Sequence, residues 1–292
     1  MKALGIDIGG TKISYCLINE NGEILNEIEK ISTPKTKDEI EKSLKNIISK
    51  FEDEIAFVAI ATAGTVNTQN TAVIGSTANL PSGYRDIDFQ NLSSKNVFIE
   101  NDANCAAIAE AKIGAAKGTN HSITLTLGTG VGCGIIVDGK LLKGKSGAAG
   151  EMHFAMSRTP KRSCTCGFYD CYEAYASGNG LRKTGIDVTG NENITTYDIV
   201  DGVKNKDSTS QKILDVWQND IALGVMALAN IFDPEMIVLS GSMEQFVDTK
   251  RIEEFVNKNI VTTPTRVAHA KLANHCGMIG ATLLGFDKIK NM

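Results

Sequence analysis

Two glycine turns and one carboxylate carry most of the chemistry legible in this chain. Asp7-Ile8-Gly9-Gly10-Thr11-Lys12 follows one apolar run, and Leu127-Gly128-Thr129-Gly130-Val131-Gly132 follows another. Glycines at a strand-to-strand turn let backbone N–H groups approach an anion closely, and threonine hydroxyls add donors. Between the turns, Glu100-Asn101-Asp102-Ala103-Asn104 sets carboxylates at the end of a short apolar run. Together they describe phosphoryl transfer, which is largely positioning and charge neutralisation. Asp7 would help hold Mg²⁺, Gly10 and Thr11 would face the phosphates of a nucleotide from one turn and Gly128 and Thr129 from the other, and Gly9, Lys12 and Gly130 complete those turns. Asp102 would take the proton of an attacking hydroxyl. Each motif alone has a plainer reading, a hairpin turn for the glycines and a helix N-cap for Asp102. Ser240-Gly241-Ser242 is either a capping turn or bare backbone at Gly241 on which a nucleobase or ribose packs.

A second group is Cys164-Thr165-Cys166-Gly167, followed by Cys171-Tyr172-Glu173. Three cysteines this dense suggest a zinc site with His153 as the nearest fourth ligand, or three free thiols in a compact loop. Glu151 and Glu173 offer paired carboxylates for sugar hydroxyls, or are two surface acids.

The elements that position these groups follow from periodicity. Lys2 to Asp7 and Ile13 to Ile18 read as strands joined by the first turn, with a hairpin signal at Asn19 to Gly22 and a third strand from Ile24 to Ile31. Ile40, Leu44, Ile47 and Ile48 have helical spacing within Lys37 to Phe51. Ile55 to Ala61 and Val97 to Ile99 are buried strands, and Ala103 to Ile113 is a helix. Ser122 to Leu127 and Cys133 to Val137 repeat the opening strand-turn-strand pattern. Ser210 to Phe232 is a long helix, Met236 to Leu239 a strand, and Cys276 to Phe286 a Gly/Ala-rich helix. The repetition predicts an α/β protein of two related lobes with the ligand in the cleft between them.

Composition narrows the class. The 292 residues are 42% hydrophobic, enough for a sizeable core, and a net charge of −4 gives no electrostatic reason to expect nucleic acid. No run is long enough to span a membrane and the start has no signal-peptide pattern, so a cytoplasmic protein is expected. Seven cysteines cannot all pair internally, which agrees with a reducing compartment.

The chain resembles the ROK family (repressors, open reading frames and sugar kinases), whose fold is the two-lobe, actin-like, hexokinase-like one. The resemblance runs in order through both glycine turns, Glu100 to Ala107, Gly147-Ala148-Ala149-Gly150-Glu151, Cys164 to Gly167, Cys171 to Gly178, Asn230 to Pro234, Ser240-Gly241 and Gly277 to Ala281. It implies ATP-dependent phosphorylation of a hexose-type sugar at its 6-hydroxyl. Asp102 corresponds to the catalytic base, and Asn101, Glu151 and Glu173 to sugar ligands, with Gly64 and Asn79 in segments lining the sugar pocket. It also implies a homodimer, and a division into residues 1–103, completed by 276–292, and residues 104–275.

One position departs. The family reads Gly-Glu-x-Gly-His, and its histidine is both a zinc ligand and a sugar contact; here that position is Phe154, and His153 sits one residue early. Asp170 also stands where a glycine usually precedes the last cysteine. The expectation is therefore no structural zinc of the family kind on Cys164, Cys166 and Cys171. A repressor of this family carries a DNA-binding domain ahead of the sugar-binding part; with the first turn at Asp7, a kinase is expected instead. Thr65-Val66-Asn67, Ser76 to Leu80 and Cys171 to Gly178 resemble the N-acetylmannosamine kinase branch more than the glucokinases. That points to N-acetylmannosamine and sialic acid breakdown, with glucose and N-acetylglucosamine as alternatives and a non-catalytic sugar-binding module as a further one.

Overall fold

The computed structural model describes residues 1–75, 80–272 and 275–292. In chain order the elements are β1 (Lys2–Ile8), β2 (Lys12–Asn19), β3 (Glu29–Ser32), α1 (Lys37–Ser49), β4 (Val58–Thr62), β5 (Thr65–Val66), β6 (Val73–Gly75), β7 (Val97–Asn101) and α2 (Asp102–Lys112). There follow β8 (Ser122–Leu127), β9 (Val131–Val137), β10 (Lys140–Leu141), α3 (Glu173–Ala176), α4 (Gly178–Thr189), α5 (Thr196–Lys204) and α6 (Ser208–Phe232). The last are β11 (Met236–Ser240), α7 (Thr249–Asn259), β12 (Arg266–His269) and α8 (Cys276–Lys290). No described helix is long and apolar enough to cross a membrane.

The chain forms two compact units. The first comprises Met1–Gly118, Gly134–Gly150 and Leu272–Met292. Its five-stranded sheet runs β3-β2-β1-β4-β7, antiparallel through β3, β2 and β1 and parallel through β1, β4 and β7. Strand alternation sorts side chains by size onto the two faces. Leu4, Ile6, Ile8, Val58, Ile60, Val97 and Ile99 pack with Ile40, Leu44, Ile47 and Ile48 of α1. Ala3, Ala59 and Ala61 line the other face with Cys105 of α2 and Ala281 and Phe286 of α8. Helix α2 stays with the first unit, so the unit boundary differs from the one expected after residue 103. The reason is close packing: a Cβ at Gly280 of α8 would collide with the Cys105 carbonyl oxygen.

The expected strand from Ile24 to Ile31 is shorter. The Asn26 side chain accepts from the Leu17 N–H at 2.7 Å, so a side chain takes the bond a strand neighbour would have made. Regular pairing resumes only at Tyr15↔Glu29.

The second unit comprises Thr119–Cys133 and Glu151–Lys271. Its strands β8, β11 and β12 are parallel, within a sheet of order β10-β9-β8-β11-β12. Helix α6 is capped by Asp207, which accepts from Ser210 N–H at 2.7 Å. Buried Trp217 of α6 donates its indole N–H to the carbonyls of Ala176 and Ser177 at 3.1 and 3.0 Å.

Candidate active site

In the first unit the parallel register brings three strand ends side by side. Ile8 pairs with Thr62, and Thr62 with Asn101. Asp7, Gly64, Asn101 and Asp102 therefore gather at the carboxyl edge of the sheet, where open α/β sheets bind ligands. Asn101 is the N-cap of α2: its side-chain oxygen accepts from Ala103 and Asn104 N–H at 2.9 and 3.1 Å. Its amide donates to the Gly64 carbonyl at 3.1 Å. The capping role open to Asp102 thus belongs to its neighbour. Asp102 is the first residue of the helix, exposed, with Oδ1 accepting from Ala103 N–H at 2.9 Å.

Asp7 sits close enough to Asp102 to feel its charge. Burial pushes the Asp7 carboxyl up to about 7, the Asp102 charge adds to this, and Lys12 opposes it. Beside them the buried hydroxyls of Tyr84 and Thr62 share a 2.6 Å hydrogen bond. In the first turn the Gly9 N–H donates to the Lys12 carbonyl at 3.0 Å, and the Thr33 hydroxyl to the Gly9 carbonyl at 2.6 Å. Gly10, Thr11 and Lys12 stay exposed. Asn79 lies outside the described residues.

Glu100 supports this edge from behind and was not singled out by its sequence context. Fully buried, it accepts from Lys143 Nζ at 2.6 Å, Asn70 Nδ2 at 2.7 Å, Asn101 N–H at 2.8 Å and Asn104 Nδ2 at 3.1 Å. Lys143 also donates to the Asn67 carbonyl at 2.9 Å. A charge inside an otherwise apolar strand was the available signal, because a buried carboxylate needs a partner.

In the second unit, β8 and β11 end together at the Ser240↔Thr126 pair. Gly241 has φ +91°, and a Cβ there would lie 2.5 Å from the Leu127 carbonyl oxygen. Glycine is thus required where Gly241 packs on the second turn. That turn closes through Gly128 N–H to the Gly130 carbonyl at 3.0 Å, and Gly178 N–H and Asn179 Nδ2 hold it at 2.8 and 3.0 Å. Glu173 joins it: Oε2 accepts from Val131 N–H at 3.1 Å, and Oε1 from the Thr165 hydroxyl at 2.6 Å. Gly128, Thr129, Gly130, Gly241 and Glu173 are therefore one cluster. Glu151 lies beside His153 instead, 3.8 Å away, both half exposed.

The sulfurs of Cys164, Cys166 and Cys171 lie within 4.8 Å of one another. All seven cysteines are free thiols. Three thiolates at this spacing suit three corners of a zinc tetrahedron. Among the described residues no histidine or carboxylate completes that group. Phe154 stacks on Tyr172 instead, centroids 5.0 Å apart and planes inclined by 19°. The donors present do not fit a closed four-ligand site.

A sequence model of the ROK family matches residues 3–288. The chain belongs to the ROK family. Within it, the chain is 30% identical to a glucokinase of Streptomyces coelicolor, with 95% of each chain covered. It also resembles the crystal structure of a ROK family glucokinase from Streptomyces griseus in complex with glucose and AMPPNP. There the TM-score is 0.82 and the identity 27%, covering 97% of this chain and 99% of that one. A putative N-acetylmannosamine kinase from Listeria monocytogenes superposes with TM-score 0.83 at 25% identity, and both chains are covered in full. The α/β architecture with mixed sheets is thus the actin-like fold of ROK sugar kinases.

Proposed function

We propose that this chain is an ATP-dependent sugar kinase whose acceptor is N-acetylmannosamine, phosphorylated at its 6-hydroxyl. The observation carrying the catalytic part is the edge formed by β1, β4 and β7. Asn101 takes the helix cap there, so the Asp102 carboxylate stands exposed beside Asp7. In this reading Asp102 accepts the 6-hydroxyl proton, and Asn101, Gly64, Asn79, Glu151 and Glu173 contact the sugar. Asp7 holds Mg²⁺, which neutralises phosphate charge. Gly9, Gly10, Thr11, Lys12, Gly128, Thr129 and Gly130 receive the phosphates, and Gly241 packs against the nucleoside.

The acceptor rests on the resemblance of Val58 to Leu80 and Cys171 to Gly178 to N-acetylmannosamine kinases. It would place the chain in sialic acid breakdown, in the cytoplasm, as a homodimer. An ADP-release assay with ATP–Mg²⁺ tests it on N-acetylmannosamine, glucose and N-acetylglucosamine in parallel. A kcat/KM at least about tenfold higher for N-acetylmannosamine is expected, a margin that buried polar partners can supply. Preference for glucose or N-acetylglucosamine removes the pathway and keeps the kinase. Inactivity with all three favours a sugar-binding module.

The thiol cluster yields a separate expectation. Protein purified without added zinc should hold far less than one zinc per chain, and a chelator should leave sugar binding unchanged. Elemental analysis decides: one zinc per chain would mean that water or His153 completes the set.

A further inference from the structure

Residues 151–172 of the second unit run with little regular structure beyond isolated bridges such as Ala155↔Cys171 and Ser163↔Tyr169. A segment of that length inside a compact unit needs something to hold it. Asp170 is the group at its centre. It is 2% exposed and has φ +66°, in the left-handed region that Asp and Asn tolerate best after glycine. Oδ1 accepts from the Tyr175 hydroxyl at 2.5 Å, and Oδ2 from Arg158 N–H at 3.0 Å. Its own N–H donates to the Arg162 carbonyl at 2.7 Å, and its carbonyl accepts from Met156 N–H at 2.8 Å.

The partners are themselves anchored. Arg162 lies over the Tyr175 ring, 4.5 Å from its centroid, and donates to the carbonyls of Ala174 and Gly180 at 3.2 and 3.3 Å. Arg158 pairs with Asp220 of α6. On the other side of the loop Tyr172, stacked on Phe154, donates to the Ile221 carbonyl of α6 at 3.1 Å. Gly224 leaves the space its ring fills.

We propose that Asp170 is a positioning residue: its buried carboxylate ties the loop to Tyr175 and so sets Glu173, two residues earlier on α3. A carboxylate and its hydrogen-bond donors thereby do the fastening that the incomplete thiol set cannot. The two departures, Phe154 and Asp170, are parts of one device. The second half of this inference rests on Glu173 as a sugar ligand; the first half does not.

The test uses the full chain with chelator present. Asp170→Asn keeps size and left-handed backbone but puts an amide where two donors converge. Hydrogen exchange of residues 156–170 should quicken at least about tenfold. The KM for whichever of the three hexoses the wild type uses best should rise about tenfold, with kcat within about threefold. Tyr175→Phe, which removes one bond of the device, should shift both in the same direction by less, and it serves if the first variant does not fold. Unchanged exchange in both variants overturns the fastening. So does wild-type exchange that quickens equally on chelation, because a metal then holds the loop. Faster exchange with unchanged KM overturns the positioning of Glu173. If the wild type phosphorylates no hexose, the kinase reading falls, while exchange still decides the fastening.

Discussion

Asp102→Asn should lower kcat about 10³-fold while moving the sugar KM by less than about threefold. General-base removal is worth roughly 10²–10⁴-fold, and the upper part of that range fits a hydroxyl nucleophile with no other exposed carboxylate proposed for its proton. The small KM effect follows from the division of labour at the edge of the sheet. Asn101 caps α2 and bonds the Gly64 carbonyl, so the helix start does not depend on Asp102. Asparagine at the first helical position disturbs neither. Steady-state kinetics check the outcome, together with sugar binding measured calorimetrically without nucleotide. A variant retaining near-normal kcat would take the base role away from Asp102.

The second large effect is a trade between stability and turnover at Asp7. Its carboxyl is raised from 3.8 to about 7, by burial first and the Asp102 charge second. A carboxyl whose folded-state pKa lies above its unfolded value favours folding fully only below the unfolded pKa. That contribution is lost as pH rises through the folded one. Between about pH 4 and 7 the metal-free protein should therefore lose roughly 2–4 kcal/mol from this group, at about 1.4 kcal/mol per pH unit. Asp7→Asn has no charge to desolvate. Without Mg²⁺ it should melt several degrees above wild type at pH 8 and within about a degree of it at pH 4. In the proposed reaction the ionised carboxylate earns its place by holding Mg²⁺, so the same variant should lose about 10²-fold or more in kcat. Melting curves at both pH values with chelator, and kinetics with saturating Mg²⁺, test the two halves separately. Equal melting shifts at the two pH values would show that ionisation of Asp7 is not the cost.

Much of this molecule is legible in its sequence where one interaction scale dominates. The helix from Lys37 is visible because Ile40, Leu44, Ile47 and Ile48 form a single buried stripe. The strands around Ile6 and Ile60 are visible because both faces are apolar. Helices α4, α5 and α7 were not anticipated. Glycines at 178, 180, 185 and 202 lower helix propensity yet sit within α4 and α5, and at 180 and 185 a Cβ would press on Tyr175 and Ile199. Tertiary packing overrides propensity there. The site was legible as types of residue at intervals. Which of two adjacent residues, Asn101 or Asp102, caps the helix depends on backbone angles that no spacing encodes. Asp170 showed in the sequence only as a departure, because its partners at Arg158 and Tyr175 meet it through the path of the loop.

The first unit has a consequence for how the chain is made. Its alanine-lined sheet face is completed by Ala281 and Phe286 of α8, which follow β4 by more than two hundred residues of synthesis. Contacts so distant in sequence must wait for a long loop to close, which slows folding. Until α8 arrives, Phe57, Ala59, Ala61 and Phe98 have only part of their cover on that side, from Cys105 of α2. The nascent protein therefore passes through a stage with an unfinished apolar surface, the kind of surface on which newly made chains aggregate or are held by chaperones.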